Sequence, residues 1–166
     1  MKLHLGCGGL YFPGFVNIDF MAGEEGVKAD QSWDLRKPLD MYESDSVELI
    51  IANHLLEHLP INSVEGVVAS WYRILKPGGV LAMELPDLDA IVREYFLRRQ
   101  LNRPVDDLVP WIFGNQEHQG QFHYWGWSQD SLVKLLEKIG IKNYKFMKPQ
   151  DREQSAFICF RVEVTK

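Results

Sequence analysis

Two stretches of this 166-residue chain have residue types and spacings that could do chemistry. The first is Gly6-Cys7-Gly8-Gly9, which ends the apolar run Lys2-Leu3-His4-Leu5 and precedes Val16-Asn17-Ile18-Asp19. Three glycines in four residues let backbone approach a ligand that a Cβ would hold off. An acid ending the next apolar run can accept hydrogen bonds from ribose hydroxyls. The pair predicts two parallel strands whose carboxyl ends hold a nucleoside-bearing cofactor, with Gly6, Cys7 and Gly8 under its polar tail and Asp19 on its sugar. The plain alternative for Asp19 is a surface turn. The second stretch, His54-Leu55-Leu56-Glu57-His58, spells H-x-x-E-H, which on one helix face chelates zinc with the glutamate as general base.

The spacing narrows both readings. A dinucleotide loop G-x-G-x-x-G started at Gly6 needs glycine at position 11, where Tyr11 stands, and its acid about 20 residues on, whereas Asp19 comes sooner. NAD and FAD are disfavoured. His54 directly follows the apolar run Val47 to Ala52, ahead of any helix, so the two histidines are not expected to share a helix face. Glu117, His118 and His123 form another possible metal set, but the histidines stand five apart in an irregular segment, and hydrogen-bonded or substrate-facing histidines are expected instead. No metal-ligand set is assigned.

Leu5-Gly6-Cys7-Gly8-Gly9 with Asn17-Ile18-Asp19 resembles the first two motifs of the class I S-adenosylmethionine-dependent methyltransferases. His54-Leu55-Leu56-Glu57-His58-Leu59 and Trp71-Tyr72-Arg73-Ile74-Leu75-Lys76-Pro77-Gly78-Gly79 are further strings similar to that family. The resemblance covers nearly the whole chain, most strongly Lys2 to Pro86. It implies S-adenosylmethionine as cofactor, bound by Gly6, Cys7, Gly8, Asp19, Phe20, Asp34, Leu35, Asn53 and His54, with Asp34 near the adenine amino group and Asn53-His54 beside the transferable methyl. For Asp34 a turn-capping role is the alternative. The implied reaction is in-line attack by an acceptor on a sulfonium methyl. His118, His123 and Tyr124 are candidate bases or acceptor-orienting groups, and Cys7 is not expected to act as a nucleophile. A non-catalytic S-adenosylmethionine-binding or interaction module and a zinc metallohydrolase using His54, Glu57 and His58 are the alternatives.

The elements that position these residues read as an α/β fold. The expectation is a Rossmann-like, mostly parallel sheet with helices on both faces and a C-terminal antiparallel hairpin strand. Only about nine residues separate the first two strands, so that crossover is expected to be a loop or a single turn. Met21 to Gln31 reads as an exposed connection. Asn62 with Glu65 suggests a capping box for a helix burying Val64, Val67, Val68, Trp71, Tyr72 and Leu75, stopped at Leu75-Lys76-Pro77-Gly78-Gly79 before a strand from Val80 to Leu85. A helix after Pro86-Asp87 is expected to group Leu88, Ile91, Val92, Tyr95 and Phe96 inward and leave Arg93, Arg98 and Arg99 solvated. Residues 102–127 are irregular and aromatic, an acceptor lid or a cover for the sheet edge. Ser128 caps a helix carrying Leu132, Leu135, Leu136 and Ile139. Two strands, Tyr144 to Met147 and Ala156 to Val164, flank the loop Lys148 to Gln154.

One domain over residues 1–166 is expected, with a cofactor half at 1–87, an acceptor-site helix and lid at 88–127, and a C-terminal helix and hairpin at 128–166. A net charge of −5 argues against nucleic acid as acceptor and leaves a small molecule favoured. The absence of a signal pattern or membrane-length apolar run points to the cytoplasm. Cys7 and Cys159 form no C-x-x-C pair.

Overall fold

The computed structural model describes residues 1–149 and 157–166. Seven strands, β1 (Lys2–Leu5), β2 (Val16–Asp19), β3 (Gln31–Ser32), β4 (Val47–Asn53), β5 (Leu75–Pro86), β6 (Tyr144–Met147) and β7 (Cys159–Thr165), make one sheet in the order β3-β2-β1-β4-β5-β7-β6. β7 runs antiparallel to both its neighbours, and the pairs among β1 to β5 are parallel. Chain order reverses across β1: β2 and β3 lie on one side, β4 and β5 on the other. A sheet wound this way opens a crevice beyond the carboxyl ends of β1 and β4.

Alternation along the strands decides where the core sits. Val16, Leu3, Ile50, Leu81 and Val164 form one row across the sheet; Asn17, His4, Ile51, Ala82 and Glu163 form the next, on the opposite face. The apolar face packs against α1 (Ile61–Ile74), through Val64, Val67, Val68 and Trp71. After α2 (Leu88–Gln100) and the short α3 (Val109–Phe113), α4 (Gln129–Lys138) adds Leu132 and Leu136 to the same core. On the polar face, His4 Nδ1 meets Asn17 Oδ1 at 3.0 Å, and the Phe12 ring stacks on the His4 imidazole at 4.1 Å. The first crossover thus holds no helix, as its length predicts, and its own loop covers the sheet there. Asn17 fixes that loop by accepting from Phe12 N and donating to the Phe12 and Phe15 carbonyls.

Several boundaries differ from expectation for physical reasons. The segment Met21 to Gln31 ends in β3, a two-residue strand that pairs with β2 and carries too little apolar signal to be read. The capping box at Asn62 does not form: Pro60, at φ −59 and ψ 131, is the last extended residue, α1 starts at Ile61, and Ser63 Oγ donates to the Pro60 carbonyl at 2.9 Å. Lys76 to Gly79 is not a separate turn but a bulge inside β5, since Val47 pairs with Leu75 and Leu49 already pairs with Val80. A bulge accommodates a proline that a regular ladder rejects. The inward face expected of α2 is also corrected, because only Ile91 is buried while Phe96 is 61% exposed. α2 packs on a small cluster of Ile91, Leu108, Ile158 and Cys159 rather than on the sheet's main core. Arg98 is not solvated, either; it bonds Glu94 and Asp107, each at 2.7 Å.

Other expectations hold. Ser128 and Ser131 close a reciprocal capping box on α4. β6 has the predicted bounds, whereas β7 runs from Cys159 to Thr165 because Phe157 and Ile158 form a turn instead of the expected strand. Residues 150–156, which include most of the expected loop and the expected strand start at Ala156, lie outside the described residues. Among the described residues no helix is long and apolar enough to cross a membrane.

Candidate functional site

At the end of β1 the chain turns through Gly6 and Gly8, whose φ angles of 68° and 49° lie in the left-handed region. A Cβ on Gly6 would press on Leu55, whereas one on Gly8 would meet open space. Glycine is needed at the first for packing and conformation, and at the second for conformation and access. Asp19, at the end of β2, locks the turn: Gly8 N donates to its Oδ2 and Met21 N to its Oδ1, each at 2.9 Å. A carboxylate offers about four acceptor sites, so two hydroxyls can still be accommodated. The Cys7 thiol donates to the Lys28 carbonyl at 3.6 Å. Burial, then the Asp19 charge, pushes its pKa up to about 11, so it stays protonated at neutral pH.

These groups line a cavity of about 870 Å³ over the carboxyl ends of the strands. All nine residues predicted to hold the cofactor, Gly6, Cys7, Gly8, Asp19, Phe20, Asp34, Leu35, Asn53 and His54, contribute to its wall. So do His118 and Tyr124. His123 does not; it lines a small neighbouring pocket with Trp111 and Trp127. The volume falls within the roughly 300–1,000 Å³ of small-molecule sites. The open space before Gly8, the glycine backbone and the spare acceptor sites of Asp19 fit a nucleoside with a polar tail.

The remaining wall is built by polar pairs. Asp34 is held below the usual carboxylate range by hydrogen bonds from Arg36, whose Nε lies 2.7 Å from Oδ1. Arg36 N also donates to Oδ1 at 3.1 Å, so the turn-capping alternative is realised, with Asp34 still at the cavity. His54 sits just past β4 at φ 48°, outside the 3₁₀ turn Leu56–His58, so H-x-x-E-H does not lie on one helix face. Its ring faces Glu57 at 3.6 Å through Nδ1 and Glu84 at 3.7 Å through Nε2. Burial alone would depress the imidazole, but the two carboxylates outweigh it and raise the pKa to about 9. Glu84 is fully buried in β5 and was not singled out in the sequence; its signal was an acid in the apolar run Val80 to Leu85.

His118 caps the 3₁₀ turn Gln119–Gln121, its Nδ1 accepting from Gly120 N at 3.2 Å, and Gly120 packs against the Phe20 ring. Residues 118–121 and Tyr124 therefore rim the cavity. Of the possible metal set Glu117, His118 and His123, only His123 joins a cluster able to hold an ion among the described residues, together with Glu57 and His58.

A sequence model described as a methyltransferase domain matches residues 12–145. The chain belongs to that family. This methyltransferase is an enzyme that uses S-adenosylmethionine. Solved structures share its fold. A methyltransferase from Archaeoglobus fulgidus, described as dependent on S-adenosylmethionine, is 13% identical at a TM-score of 0.66, over 99% of this chain and 85% of that one. One from Methanosarcina mazei is 16% identical at 0.64, over 99% and 91%. The Burkholderia thailandensis 1,6-didemethyltoxoflavin N1-methyltransferase, solved with 1,6-didemethyltoxoflavin and S-adenosylhomocysteine, is 12% identical at 0.63, over 99% and 70%. No curated protein sequence matches the methyltransferase.

Proposed function

We propose that Gly6, Cys7, Gly8, Asp19, Phe20, Asp34, Leu35, Asn53 and His54 hold S-adenosylmethionine, and that its methyl passes to a small molecule admitted beneath residues 118–124. One observation carries this reading: the Asp19 carboxylate and the Gly6–Gly9 turn lie hydrogen-bonded together on the wall of the large cavity. Bound S-adenosylmethionine supplies a methyl on a good leaving group, so the reaction needs no enzyme nucleophile. The chain's own residues position the acceptor and exclude water. His118 and Tyr124 are placed to orient an acceptor or take its proton; His123, behind the wall, is not assigned that part.

A small acceptor fits a chain of net charge −5 whose candidate cofactor residues line a large cavity, and a protein of this fold was solved with a small heterocycle. Residues 1–87 then form the cofactor half, 88–127 the acceptor side and lid, and 128–166 the closing helix and hairpin. The reduced Cys7 thiol, which donates to the Lys28 carbonyl, fits a reducing compartment, the cytoplasm. The test is methyl transfer from isotopically labelled cofactor into a metabolite extract. Label in a low-molecular-weight product, reduced in His118→Ala at unchanged S-adenosylhomocysteine affinity, is expected. Label found only in protein or RNA would reject the small-molecule assignment.

A further inference from the structure

Glu57, His58 and His123 each bring one ligand atom within 4.8 Å of the others. They are gathered from two distant segments by two ties, Glu57 to Tyr124 and His58 to Phe122, while a backbone bond within the second segment holds His123. Tyr124 N donates to the Glu57 carbonyl at 2.8 Å, His123 N donates to the Phe113 carbonyl at 3.2 Å, and His58 Nδ1 meets the Phe122 carbonyl at 3.0 Å. His123 Nδ1 likewise meets the Trp111 carbonyl at 3.1 Å. A carbonyl only accepts, so each histidine carries a proton on Nδ1, and Nε2 is the nitrogen left to serve as a ligand. That is the orientation a backbone carbonyl imposes on metal-bound imidazoles. The Glu57 side chain is 2% exposed, and neither of its oxygens has a hydrogen-bond partner. His54 Nδ1, at 3.6 Å from Oε1, satisfies its charge without bonding it.

From this geometry we infer that Glu57, His58 and His123 form a binding site for a divalent transition metal of the zinc class. Two imidazoles and one carboxylate suit zinc, cobalt or iron, whereas magnesium and calcium favour oxygen-only shells. Ligands of a tetrahedral zinc stand about 3.3 Å apart, so binding draws the three atoms inward by up to about 1.5 Å. Three protein ligands leave at least one position open. His58 belongs to the wall of the large cavity while Glu57 and His123 line the pocket behind it, so the ion stands between the two. The open position is available to a water or to an oxygen of the acceptor, whose proton the ion would make easier to remove. Metal binding itself does not depend on the acceptor assignment.

The test is a titration of chelator-treated protein with cobalt(II), followed by visible absorption. One cobalt per chain is expected, with the d–d bands of a four- or five-coordinate site, displaced by zinc and not by magnesium. His58→Ala, His123→Ala and Glu57→Gln should each weaken cobalt binding about tenfold or more. S-adenosylhomocysteine affinity, measured in parallel on His123→Ala, reports that the variant is folded. Wild-type protein giving only the spectrum of hydrated cobalt overturns the site, even if no variant folds. So does a folded His123→Ala that binds cobalt as tightly as wild type, or displacement by magnesium.

Discussion

The backbone N–H of Gly8 donates to the Asp19 carboxylate at 2.9 Å, tying the loop after β1 to the end of β2. The loop is therefore shaped by the residue proposed to hold the ribose. Gly8→Ala separates the two roles. Nothing lies within 4 Å of the added Cβ, so the folding cost is that of left-handed backbone, about 1–2 kcal/mol. The methyl nonetheless intrudes on the cavity, and S-adenosylhomocysteine affinity should fall about 10- to 200-fold. Thermal melting and calorimetry on one preparation read both.

Gly114 is a different case. At φ 76° it packs so tightly on the Gln121 carbonyl that a Cβ would collide with it. Gly114→Ala should free the segment 109–125 from its docking while leaving the sheet intact. Hydrogen exchange is expected to lose protection there and keep it in β1, β4 and β5.

The main core sets the stability scale. Trp71 is fully buried in the α1 face against the sheet. Trp71→Ala should cost about 3–5 kcal/mol, lowering the melting temperature by roughly 6–20 °C for a domain of this size. Phe96→Ser, on the exposed side of α2, should change stability by no more than about 0.5 kcal/mol.

Cys7 carries a pH dependence. With its pKa raised to about 11 by burial and then by Asp19, only about one molecule in a thousand holds a thiolate there at pH 8. Since the thiolate is the reactive form, iodoacetamide labelling of Cys7 should be slow at pH 8 and quicken as pH rises toward 11. Removing the Asp19 charge in Asp19→Asn lowers the pKa and should speed labelling at pH 8. S-adenosylhomocysteine should protect the thiol. Mass spectrometry of the Cys7 peptide measures each rate.

The cofactor half was legible because short-range signals there agree with the sheet's needs: apolar runs of four to seven residues, glycines at a forced turn, an acid at a strand end. Every residue named for the cofactor meets at one cavity for that reason. What could not be read depends on distant partners. His123 is carried away from the cavity and onto Glu57 and His58 by hydrogen bonds across 64 or more residues, and no local pattern announces such ties. α2 looked like a core helix because its apolar residues share a face, yet the segment at Asp106–Leu108 draws it aside through Arg98 and Asp107. The structural roles of Asn17 and Glu84 are not legible in the sequence, because polar residues inside apolar strands show their purpose only when the opposite face is known.

The central claim is that Asp19 receives the ribose hydroxyls of the cofactor, and a calorimetric cycle measures it directly. S-adenosylhomocysteine and its 2′,3′-dideoxy analogue are titrated into wild type and into Asp19→Ala. Wild type should bind the parent compound more tightly than the analogue by about 2–4 kcal/mol, or about 30- to 700-fold, as for a charged group losing its hydrogen-bonding partners. The variant should scarcely distinguish the two ligands. A folded Asp19→Ala that keeps the full wild-type preference for the ribose hydroxyls would contradict the assignment.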